Sequence, residues 1–286
     1  MTYYFASSNQ PSPLSRVSAS LNARPDALIL ATVIALGMIL PTLALLMLDP
    51  RVLDDEALWL KPLKFQISMA MFCLTVWFGV QQLPRHWRAS WWLRVPSILV
   101  ASTALYELMF LAIQAGRGKR SHFNSETIFD QIGGSIMAAG AGVLVSGAAF
   151  IGVIILLYWL KHHARTFTGP LVLAFALGLI LGGILGGYTG SYIGMNRGPF
   201  VGPFDPTQST IALVGWALNI GDLRISHFFG LHAMQALPLI AWLLVHVAAL
   251  PTARANIVLI GASGAWIWLT LHTLEAALAG KPPFLV

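Results

Sequence analysis

The chain contains one cysteine, Cys73, and it lies inside an apolar run. An internal disulfide is excluded, and thiolate clusters of the iron–sulfur or structural-zinc kind are excluded with it. Any metal would have to take histidine, carboxylate or methionine ligands. Charge is also scarce, at 10% of 286 residues, well under the quarter or so found in soluble domains. The net charge is +6, but the basic residues sit in short gaps rather than on one long face, so there is no nucleic-acid surface. Residues 1–25 lack an apolar core and are rich in Ser, Pro and Asn, which predicts a disordered cytoplasmic tail rather than a cleaved signal peptide. No internal repeat is visible, which weighs against an inverted-repeat transporter. The last apolar run holds no lysine, so a retinal Schiff base is excluded.

What the chain does have is hydrophobic residues, 57% of the total, with a mean hydropathy of +0.73. Runs of roughly 20 apolar residues, long enough to cross about 30 Å of hydrocarbon, recur at 26–48, 62–83, 91–115, 130–160, 168–195, 226–250 and 256–279. The predicted fold is all-α, a polytopic membrane helix bundle of about seven transmembrane helices forming one domain over residues 26–286. Orientation follows from the connections. Residues 84–90, 161–166 and 251–256 carry Arg85, Arg88, Lys161, Arg165 and Arg254 with no acid, whereas the alternate loops mix both signs. The rule that basic loops stay inside places the N-terminus in the cytoplasm and the C-terminus outside. Arg117, Lys119 and Arg120 run against that bias. The composition fits a bacterial inner membrane, with the outer half of the bundle facing the periplasm.

Polar residues gather toward the predicted outer half. The stretch Gly221–Gln235 brings Asp222, Arg224, His227, His232 and Gln235 to the head of the sixth run. Ionisable groups entering a membrane helix are costly and are expected to face protein, water or ligand. By helical rise, His232 lies roughly 9 Å below the start of its run. His272 in the seventh run and Glu107 in the third fall at similar depth, with Gln114 on the face of Glu107 and Glu275 on that of His272. His227 points some 140° from His232 and reads as a mouth residue, and Ser226 reads as the N-cap. In the fifth run Gly178, Gly182, Gly186, Gly190 and Gly194 recur at a spacing of four, beside Gly183 and Gly187. Close helix packing explains such a stripe; a flat cofactor against bare backbone is the sharper alternative. Lys64, Arg117, Arg120 and Arg224, near His122, could neutralise an anionic partner at the outer face: a small molecule, a lipid headgroup or haem propionates.

These residues support three functional readings. The first is a redox protein holding b-type haem or a transition metal ion (Fe, Cu or Zn) through His232 and His272, with His122 or His227 nearby. The second is a metal-dependent membrane hydrolase or transferase acting on a lipid, with Glu107 or Asp222 as general base on a metal-bound water. In residue types, Asp222, Ser226, His227, His232 and His272 resemble the set used by the seven-helix hydrolases of the ceramidase and adiponectin-receptor group. The spacing reproduces no motif of that group, so no roles carry over. The third is an anion transporter or binding protein without chemistry.

Overall fold

The computed structural model describes residues 26–54, 56–162, 169–202, 210–211 and 214–282. The expected tail, residues 1–25, lies outside the described residues, as do Asp55, Arg165 and Asp205. Among the described residues, seven helices are long and apolar enough to cross a membrane: α1 Ala27–Leu48, α2 Leu60–Gln81, α4 Trp91–Gly116, α5 Ile128–His162, α6 Pro170–Met195, α7 Leu223–His246 and α8 Thr252–Leu278. Each coincides with one of the seven apolar runs to within four residues at either end. Three short elements add to them: a helical turn α3 (Arg85–Arg88) and two antiparallel ladders, β1 (Val52–Leu53) with β2 (Glu56–Ala57), and β3 (Phe200–Val201) with β4 (Gly221–Asp222).

The helix boundaries have local causes. The Asp26 carboxylate accepts from the Leu28 amide at 3.0 Å and caps α1. Pro170 opens α6, where its missing N–H costs nothing. Asp222, not Ser226, caps α7, accepting from the Arg224 amide at 3.0 Å. The helix starts three residues earlier than expected, so Ser226 is already inside it and donates back to the Leu223 carbonyl.

With lipid on all sides there is little hydrophobic drive between helices, and close packing decides the arrangement. Helix α6 is the centre, packed between α5 and α7 and touching α8 and α2. Its glycines work on two faces. A methyl added at Gly178 would lie 3.0 Å from Met234 Cα, and one at Gly182 would lie 3.0 Å from the Leu231 carbonyl oxygen, both on α7. One residue round, a methyl at Gly183 would overlap the Val145 carbonyl of α5. The stripe is therefore a seat for two helices, and α7 occupies the surface against which a flat cofactor might have lain. Helices α1, α2 and α4 form a second group, joined to the first mainly through α4 on α5. A buried cluster containing Leu28, Val76, Val100, Ile151, Leu179 and Met234 ties the two together.

The ends of the bundle differ in charge. At one end six acids are ion-paired: Asp49 with Arg51, Asp54 with Arg120, Glu56 with Lys64, Glu126 with Lys119, Asp130 with Arg117 and Asp222 with Arg224. At the other end Arg85, Arg88, Arg94, Lys161 and Arg254 face a single described acid, Asp26. We refer to these as the acidic and basic ends.

Candidate functional site

The polar residues are distributed over three seams. The first lies between α2 and α7. His232 Nδ1 is 3.1 Å from Gln235 Oε1, and Gln235 Nε2 donates to Thr75 Oγ1 at 3.1 Å. Thr75 in turn donates its only hydroxyl proton to the Met71 carbonyl at 2.7 Å. This chain has one consistent proton arrangement. Thr75 has no proton to offer Gln235, so the amide NH2 must face Thr75 and its oxygen must face the imidazole. Nδ1 of His232 is then a protonated nitrogen, which leaves Nε2 as the one that can offer a lone pair when the ring is neutral. The half-buried ring leans on Phe228 at 4.1 Å between centroids, and Phe228 meets Trp216 at 5.1 Å. Phe228, His232 and Gln235 share one face of α7, and Lys64, Met71 and Thr75, at spacings of seven and four, share one face of α2. Backbone packing between α2 and α7 is slight, and the Gln235–Thr75 bond spans the gap.

The second seam lies between α4 and α5. Glu107 is 4% exposed, and its Oε1 has no hydrogen-bond partner among the described residues. Toward the acidic end, Gln114 donates to Asp130 at 2.7 Å, Thr127 donates to the other Asp130 oxygen at 2.6 Å, and Arg117 completes the shell. The Arg117 guanidinium also lies over the Phe129 ring. Arg117 is thus spent on closing the α4–α5 connection, and Arg120 is spent on Asp54 across to the connection before α2.

The third seam lies between α6 and α7. His227 rests there rather than at a mouth, with Nδ1 3.2 Å from Thr189 Oγ1. The hydroxyl proton of Thr189 goes to Leu185 O at 2.7 Å, so the imidazole is the donor. Its angular offset from His232 turns it toward α6, where Gly190 leaves room for the ring: a methyl there would lie 2.9 Å from His227 Cε1.

The contacts do not gather Glu107, His232 and His272. Their common depth follows from helical rise, but α4 packs on α1, α2 and α5, whereas α7 packs on α6 and α8. His272 lies parallel to Trp268 on its own helix, with 5.1 Å between ring centroids, and Glu275 is exposed. Among the described residues, no group of three or more His, Cys, Asp or Glu is placed to hold a metal ion.

Asp222 is fully engaged. Besides capping α7 it accepts from the Ala217 amide at 2.9 Å and takes a two-pronged pair from Arg224, at 3.0 and 2.7 Å. Arg224 also donates to the Gly215 carbonyl and lies over Phe200. Gly215 has φ +70, a conformation that favours glycine, and a methyl on it would lie 2.8 Å from Glu56 Oε1. The Lys64–Glu56 pair thereby touches the Arg224–Asp222 pair through one bare backbone, and the two helix groups meet at the acidic end.

His122 sits in the connection after α4, its Nδ1 2.9 Å from Ser121 Oγ and its ring 5.8 Å from that of Phe65. Burial, assisted by the charge of Lys61, pushes its pKa from 6.5 down to about 3. The neutral form is the one the fold holds. Stability from this site is therefore complete above pH 6.5 and declines as the pH falls from there toward 3, because only the unfolded chain gains the proton. His122→Asn is expected to flatten the acid limb of a thermal-stability profile in detergent; an unchanged limb would show that other groups set it.

Thr75 is the participant that sequence reading missed, since one hydroxyl in an apolar run carries no signal until its neighbour across the seam is known. Comparison of the chain with family models, with curated proteins and with solved structures finds no match.

Proposed function

We propose that this integral membrane protein binds b-type haem through Nε2 of His232 and uses it for electron transfer. The observation that carries the reading is the hydrogen-bond chain from Nδ1 of His232 through Gln235 and Thr75 to Met71, which leaves Nε2 for a ligand. Ligating histidines characteristically donate their other ring N–H to a supporting acceptor, which orients the ring and raises its basicity, and the Gln235–Thr75–Met71 chain supplies such support. A lone histidine suffices for haem because the porphyrin brings four nitrogens of its own. A bare Fe, Cu or Zn ion would need several protein ligands, which favours haem over a mononuclear site. The slight backbone packing between α2 and α7 favours this seam. Lys64 stands on the order of 12 Å from the level of His232 by helical rise, on the facing side of α2 and in a half-exposed pair with Glu56, where it could exchange that partner for a propionate. In this reading the basic end is cytoplasmic and the site opens toward the periplasm of a bacterial inner membrane. The hydrolase alternative is weaker: it needs a free carboxylate beside the imidazole, while Asp222 is committed to the start of α7 and Glu107 stands in another seam.

The test is the absorption spectrum and iron content of protein purified in detergent from haem-replete cells. Wild type should show a Soret band that His232→Ala abolishes, while Gln235→Leu weakens haem affinity by about tenfold or more. Colourless, iron-free wild type would overturn the proposal.

A further inference from the structure

A groove lies on the exposed side of the α4–α5 seam. Two cavities, of about 280 and about 300 Å³, adjoin there and share Tyr106 and Ile136. Their walls are almost wholly apolar, apart from the hydroxyls of Ser102, Thr103 and Tyr106. Tyr106 is already bonded to the Gly133 carbonyl. Behind the wall stands Glu107. At Gly140, on the α5 wall of the groove, an added methyl group would lie 3.4 Å from Glu107 Oε1 and 2.9 Å from Thr103 Cγ2, so the Thr103 methyl is what stands between the groove and the carboxyl. An acceptor oxygen with no partner, nine residues or roughly 13 Å below the end of α4, is costly. Packing alone gives no return for it, because glutamine or leucine would fill the same volume.

We propose that this groove binds a bilayer-soluble molecule carrying a hydroxyl group, which donates to Glu107 while its apolar body lies along Met109, Ile132 and Ile136. The apolar lining suits a hydrocarbon body, and the buried, unpartnered Oε1 of Glu107 suits a donor that reaches it where the Thr103 methyl turns aside. A hydroxyl fits better than an ammonium, because no charged residue lines the groove and a cation at this depth would lose its hydration without a built counter-site. The site is independent of His232.

The test uses the full chain in lipid nanodiscs and dicyclohexylcarbodiimide, which reaches carboxyl groups from the bilayer. The carboxyl O–H adds across one C=N bond of the reagent, so the adduct retains all its atoms and nothing is expelled. Glu107 should be labelled, as read by peptide mass, with Glu107→Gln as background and His232→Ala labelled like wild type. Dodecanol should slow labelling at a concentration about tenfold lower than dodecane does, the value of one net hydrogen bond. Equal protection by the two, stronger protection by dodecylamine, or no labelling at Glu107 would each overturn the proposal. Filling Gly140 could unfold the protein, so the blocking variant is Ile136→Trp at a 47% exposed wall position. With its melting temperature unchanged it should slow labelling and remove the dodecanol effect; unchanged labelling would also overturn the proposal.

Discussion

Gly183→Ala is expected to lose about 2–3 kcal/mol of stability, at the upper end for overpacking a well-filled interior. The added methyl meets the Val145 carbonyl of α5 and lies 2.7 Å from Ala149 Cβ, one turn along the same helix. A flexible side-chain tip could swing aside, but a helix carbonyl cannot, so α5 and α6 must separate along their length. Gly194→Ala, in the same helix but with nothing within 4 Å, should be neutral or stabilising by a few tenths of a kcal/mol through helix propensity. Resistance to SDS-induced unfolding measures both. Equal behaviour of the two variants would show that α5 and α6 do not approach as described.

Asp222→Ala is expected to cost about 3–4 kcal/mol, combining the loss of a buried ion-pair partner with the loss of a helix cap. The carboxylate is fully buried, while Arg224 keeps 30% of its side-chain surface in contact with solvent, which holds the cost toward the lower part of the buried-pair range. Asp222→Asn keeps one oxygen, enough for the cap at Arg224 or for the Ala217 amide but not for both, since these bond different carboxylate oxygens; it should recover only part of the loss seen with alanine. A catalytic carboxylate would behave in the opposite way, with the asparagine variant stable but inactive. Finding full stability in Asp222→Ala would therefore return the residue to a chemical role.

The spans were legible because hydrocarbon thickness imposes a length and a composition on each one. Depth was legible only as a count of residues along each helix, which places His232, His272 and Glu107 six to nine residues from the ends of their helices. Neighbour order was not. Nothing in an apolar run records which helix it will face, so such residues could lie in one pocket or apart: Glu107 and His232 lie in different seams, and His272 stacks on Trp268 of its own helix. The cations show the same limit. Arg117, Lys119 and Arg120 stood out as an excess on one side, yet their partners Asp130, Glu126 and Asp54 were visible only as nearby acids. Pairing depends on how the loops fold back, which the spacing of charges does not encode. The glycine stripe was the best guide to tertiary structure, because the absence of a side chain every fourth residue has few uses other than bringing backbones together.

That stripe has a mechanical consequence. With bare faces turned toward both α5 and α7, α6 cannot roll about its axis: rotation that loosens one contact drives the other into a carbonyl. The three helices therefore move as one plate. The long-side-chain bridge from Gln235 to Thr75 is a softer link than backbone against backbone, so the compliance of the bundle lies along the line between α2 and α7. A ligand held beside His232, as proposed, would enter along this softer line, against the Gln235–Thr75 bond and the shared cluster of Val76 and Met234, while the plate behind them stays still.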